Sequence, residues 1–160
     1  MIDDSASLDE FDGLPQALQA LVRQGMARHL ADPAGGEFLF HYAISQAPEA
    51  LPLYRVLYKF CNRRRRFDAA YDFAALGLGA AARQAGLSED WQDWSSAMVS
   101  GADYRLGSHL LLSLKAMAFI ELRRGHGDEA ERILDRLTGL DPGDGIGASV
   151  VAALAAGIQG

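Results

Sequence analysis

Apolar residues recur three and four positions apart along most of the chain. Leu18, Leu21, Val22 and Met26 form one stripe. Leu53, Tyr54, Leu57, Tyr58 and Cys61 form a second, and Phe67, Ala70, Tyr71, Ala74, Leu78 and Ala81 a third. Leu111, Leu114, Met117, Ala118 and Leu122 make a fourth, and Ala130, Ile133, Leu134 and Leu137 a fifth. This spacing marks one face of an α-helix. It predicts helices from Leu14, over 37–46, from Pro52 to the arginines 63–66, over 67–84, over 110–124 behind a Ser108 cap, from Asp128, and over 146–156. A short helix carrying Trp91, Trp94 and Met98 is expected behind a Ser88 cap. Residues 37–46 also alternate, so a short strand competes with the helix there. Breaks are predicted at Asp32-Pro33-Ala34-Gly35-Gly36, Ala47-Pro48-Glu49-Ala50, Gly86, Ser100-Gly101-Ala102-Asp103, Gly125-His126-Gly127 and Asp141-Pro142-Gly143-Asp144. Gly77, inside a helix, predicts a close helix–helix approach.

The implied fold class is all-α. Residues 1–13 read as a flexible acidic tail with Asp3, Asp4, Asp9, Glu10 and Asp12, and residues 14–160 as one helical domain. The 160 residues can bury a real core. The net charge of −6 argues against nucleic-acid binding, which needs a basic face. No apolar run approaches the ~20 residues that span a membrane. Cys61 is the single cysteine, so an intramolecular disulfide is impossible. With acids and no bases at the start, a cytoplasmic location is expected.

One stretch carries a family resemblance. Leu122-Arg123-Arg124-Gly125-His126-Gly127-Asp128-Glu129-Ala130, followed by Leu134, Leu137 and Leu140-Asp141-Pro142, resembles a tetratricopeptide repeat. Ala130 matches the small residue after the inter-helix turn, and Asp141-Pro142 the terminal breaker. Tyr54, Leu57, Tyr58, Phe67-Asp68-Ala69-Ala70 and Ala74 match the template less fully. Gly36 precedes Ala70 by 34 residues, the family period, and Pro48 supplies a closing proline. Ala130 follows Ala70 by 60 residues, so the Trp91/Trp94 segment reads as an insertion. The resemblance implies an α-solenoid of about three helix pairs, with an inserted Trp-containing helix and a C-terminal capping helix. A generic helical bundle is the alternative. The stretches beginning at Ala47 and at Asp141 also resemble small repeat proteins encoded among bacterial nitrogen-fixation genes.

In this repeat family the first helix of each pair lines a concave groove that binds extended peptides. By register the groove positions here are Arg28, Arg55, Lys59, Asn62, Arg63, Lys115 and Arg123. All but Asn62 are basic, within an acidic protein. Guanidinium forks bind carboxylates bidentately. The expected function is therefore an adaptor or chaperone-like module that takes an acidic peptide or a C-terminal carboxylate. An accessory protein for a metalloenzyme, in a nitrogen-fixation context, and a secretion chaperone are the alternatives. The arginines 63–66 read equally as a solvated helix end, with no aromatic interleaved on one exposed face. The acidic tail can fold back over the basic stripe or serve as a solubilising segment. Trp91 and Trp94 read first as core covering. The last helix, apolar all round, is expected to be buried or to form a homodimer.

Signals for catalysis are poor. His29, His41, His109 and His126 are scattered with no metal-ligand spacing, and Cys61 lies on a core stripe. The glycines after Asp141 lack a phosphate-loop lysine and a preceding strand. Neither an enzyme nor a cofactor nor a metal is expected.

Overall fold

The structure, a computed structural model, describes residues 10–159, with side chains through Gly157. Among these residues all regular structure is helical. The helices are α1 (Gln16–His29), α2 (Pro33–Gln46), α3 (Leu51–Arg63), α4 (Phe67–Ala85), α5 (Ser96–Gly101), α6 (Tyr104–Arg123), α7 (Gly127–Leu140) and α8 (Ala148–Gln159), with a 3-10 turn at Trp91–Asp93. No helix of the described residues is long and apolar enough to cross a membrane.

Three pairs, α1–α2, α3–α4 and α6–α7, are each joined by three residues. The expected break at 32–36 shrinks to its first residue. Asp32 accepts from Gly35 N–H at 3.0 Å, and Pro33 sits in the first turn, where its missing N–H costs nothing. Gly35 and Gly36 are thus helical, and residues 37–46 are helix, not strand. Glycine is needed at Gly36 for proximity. A Cβ there would lie 2.6 Å from the Gly25 carbonyl oxygen and 2.8 Å from His29 Cβ. Gly77 does the same work between α3 and α4, since a Cβ would lie 2.8 Å from Tyr54 Cβ.

The inserted segment differs from the expected single helix. Ser88 caps no helix. Asp90 caps the 3-10 turn, and Ser95 caps α5 by accepting from Met98 N–H at 3.2 Å. Trp94 is fully buried and donates to Ser88 O at 2.7 Å, while Trp91 is partly buried. The two tryptophans therefore do not share a helical face. α6 is capped by Asp103, whose carboxylate accepts from Arg105 N–H at 2.9 Å, and Ser108 lies inside the helix. A carboxylate at the start of a helix is the better electrostatic match.

α3 packs on α4, α4 on α6, α6 on α7, and α7 on α8. Leu53, Leu57, Phe73, Leu110, Leu114, Ile120, Ile133 and Leu137 fill the shared core. α8 is not buried all round. Ala148, Val151 and Ala155 face the core, but Val150 and Leu154 are 63% and 49% exposed.

Candidate functional site

Arg55 and Lys59 stand one turn apart on α3. Arg55 Nε lies 3.1 Å from Glu10 Oε1, with both side chains about four-fifths buried. Lys59 is nearly buried and adds its charge to the field at Glu10. Among the described residues Glu10 Oε2 has no hydrogen-bond partner. Burial raises the pKa of Glu10 above the usual carboxylate value, although Arg55 and Lys59 oppose that rise. Burial likewise raises the pKa of the Tyr58 phenol, with Arg55 and Glu10 acting on it in opposite senses. His109, on α6, has its pKa lowered by burial and by the cations Arg55 and Arg105. Arg55 on α3 thus acts on both Glu10 and His109, and Glu10 is seated against Arg55.

Glu10 belongs to the stretch expected to form the acidic tail, yet residues 10–12 are helical and docked. Arg23 lies over the Phe11 ring at 4.9 Å, and Leu14 is buried. Of the other tail acids, Asp12 is exposed, and Asp3, Asp4 and Asp9 lie outside the described residues.

The remaining groove positions disperse. Arg28 pairs with Asp32 at 3.2 Å on the surface. Asn62 is buried, with its Oδ1 lacking a partner among the described residues. Arg63 is exposed at the end of α3. Lys115 donates to Ile146 O at 2.9 Å, tying α6 to the segment before α8. Arg123 lies over the Phe67 ring at 4.6 Å and the Phe119 ring at 5.8 Å.

Arg123 also lines a cleft of about 650 Å3 between α2 and the two turns α3–α4 and α6–α7. Arg66 grips Glu37 with two hydrogen bonds, of 2.8 and 3.0 Å. Arg124 approaches Asp68 at 3.1 Å and Glu121 at 2.7 Å, and His126 Nδ1 lies 3.2 Å from Glu121. Arg65 lies over Phe67 at 5.5 Å. The arginine run therefore has an aromatic neighbour, although Phe67 is partly buried and is not interleaved with the run. Phe67 follows the run directly, and register places Arg123 beside it. Those two facts together were the available signal.

Behind this cleft, His29, Glu37 and Cys61 place one ligand-type atom each within 4.8 Å of one another. His29 Nε2 lies 2.8 Å from Glu37 Oε2. An ionised carboxylate can only accept, so Nε2 carries the proton. His29 Nδ1 is then a buried acceptor with no partner among the described residues. Burial raises the Glu37 pKa, but the bonds from Arg66 and His29 outweigh it and hold the carboxyl below its usual value. The Cys61 thiol is pushed up to about 12, first by burial and then by Glu37. A thiol so hard to ionise is a poor nucleophile. The cluster is a network of a histidine, a carboxylate and an arginine that links the first helix pair to the second and leaves His29 Nδ1 as its one unpartnered atom among those named.

No protein-family model, curated protein or solved structure matches this chain. At the Arg55–Lys59 pair the carboxylate comes from outside the three helix pairs, on the short segment that carries Glu10.

Proposed function

We propose that this protein is a non-enzymatic adaptor, and that Arg55 and Lys59 bind an acidic segment of a partner protein. We further read its helix pairs as repeats of the tetratricopeptide kind. Equal three-residue turns favour that reading, as does the recurrence of a buried small residue at Gly36, Ala70 and Ala130.

The observation that carries the binding reading is Glu10. Its carboxylate, on a short helical segment outside the three pairs, meets Arg55 at 3.1 Å beside Lys59. Two basic side chains inside an acidic protein thus already receive an anionic segment in cis. Glu10 is a poorly matched occupant. Burial raises its pKa in spite of two nearby cations, so its ionised form is not fully compensated. One carboxylate oxygen also lacks a hydrogen bond among the described residues. An incoming carboxylate that satisfies both oxygens would displace it, and charge-assisted hydrogen bonds supply the difference.

The test is titration of the full chain with a fluorescent Asp/Glu-rich peptide. Binding should weaken by about 10-fold or more in Arg55→Gln with Lys59→Gln, the scale of one or two charge-assisted hydrogen bonds. Equal affinity of the wild type and this variant would end the proposal.

A further inference from the structure

We infer that the cleft beside the α3–α4 turn is a second site, one that binds a phosphate monoester between Arg65 and Arg123. It lies away from the Arg55–Lys59 pair and does not rest on the reading given for that pair.

The backbone supplies the first argument. Arg65 has φ 61°, in the left-handed region that side chains disfavour. Sixty residues later the equivalent position is Gly125, with φ 81°. The hydrogen bonds of the two turns correspond. Arg66 N–H donates to Cys61 O and His126 N–H to Glu121 O, both at 2.8 Å. Arg65 N–H donates to Asn62 O and Gly125 N–H to Leu122 O, both at 3.1 Å. Glycine thus makes this turn without strain, and nothing in the turn itself calls for an arginine.

Charge supplies the second. In this cleft Glu37 is gripped by Arg66, and Asp68 lies against Arg124. Among the described residues Arg65 and Arg123 make no ion pair, and both rest on the Phe67 ring. A guanidinium lying on a ring is pre-positioned, and its N–H edges stay available to a ligand. Asp72 is the remaining acid of the lining, so the pair keeps a net positive charge.

Geometry selects the ligand. One guanidinium fork satisfies both oxygens of a carboxylate, as Arg66 does with Glu37. Two guanidiniums, one from the α3–α4 turn and one from the last residue of α6, suit a group with three terminal oxygens and up to two charges. A cleft of about 650 Å3 leaves room for whatever carries that group.

The experiment is calorimetric titration of the full chain with O-phosphoserine, a phosphoseryl peptide and, as carboxylate control, glutamate. O-phosphoserine should bind, and Arg65→Gly and Arg123→Gln should each weaken it at least fivefold. Arg65→Gly should also raise the melting temperature, which separates loss of the site from loss of the fold. A phosphopeptide that binds more tightly than the free amino acid assigns the site to a phosphorylated partner; equal affinities assign it to a free ester. No binding of O-phosphoserine at millimolar concentration would overturn the inference. Equal binding of glutamate, or affinity unchanged in both variants, would overturn it too.

Discussion

At the α3–α4 turn Arg66 reaches out of its own helix pair and grips Glu37 on α2, 29 residues away in the chain. At the α6–α7 turn the corresponding residue, His126, turns back to Glu121 on the helix it has just left. The backbones of the two turns make the same hydrogen bonds. The turn fixes where the side chains start, and the side chains decide which parts of the molecule they join. The first turn ties two helix pairs together. The second reinforces one pair and, through Arg124 and Asp68, touches the pair before it.

The largest effect should come from cutting the link between pairs. Glu37→Leu leaves His29 Nε2 buried without a partner and frees Arg66, and should cost about 2 kcal/mol in chemical denaturation. Glu121→Leu should cost less, about 1 kcal/mol, because Arg124 and His126 are 23% and 49% exposed and water can take over. Equal losses would mean that the two turns do not differ in this way. The pH dependence has the same origin. The pKa of Glu37 is depressed in the fold, so its contribution is present above the unfolded carboxylate value. That contribution is lost as the pH falls through the lower folded value. Glu37→Gln should flatten this acid limb of the stability curve.

Exchanging the special residues of the two turns should have intermediate effects of opposite sign. Arg65→Gly relieves a left-handed arginine and should stabilise by about 1 kcal/mol, and Gly125→Arg should cost about as much. Thermal melting reads this as shifts of about 2–4 °C in opposite directions. Shifts of the same sign would show that the turns are not equivalent.

The stripes of α3, α4, α6 and α7 were legible in the sequence because each is long, periodic and packed on one side. Gly77, Ala70 and Ala130 were legible as small residues on those stripes, whereas Gly36 was legible by its register to Ala70 alone, since it was expected in a break and lies in a helix. Local chemistry that competes with itself was not. Asp90, Ser95 and Asp103 cap where Ser88 and Ser108 were expected, because any of these residues can cap and only the path of the chain chooses. The dispersal of the groove residues was not legible either. Register places Lys115 on the same kind of helix face as Arg55, but only the fold brings Ile146 O within 2.9 Å of its ammonium. Glu10 was hidden among tail acids, because nothing in its neighbours distinguishes a docked carboxylate from a solvated one.

The smallest predicted effect concerns that docking. The pKa of Glu10 is raised in the folded state, so its contribution is full below the unfolded carboxylate value and declines as the pH rises through the higher folded one. The Leu14 amide, which donates to Phe11 O at 3.1 Å, should lose protection against hydrogen exchange over that window. In Glu10→Gln the protection should not change with pH.

Whether the Arg55–Lys59 pair is a binding site is decided most directly by freeing it. The affinity of an Asp/Glu-rich peptide should be measured for the wild type and for Glu10→Gln in the full chain. Removing the cis carboxylate should tighten binding several-fold. Unchanged or weaker binding would mean that Glu10 holds the fold together and stands in for no ligand.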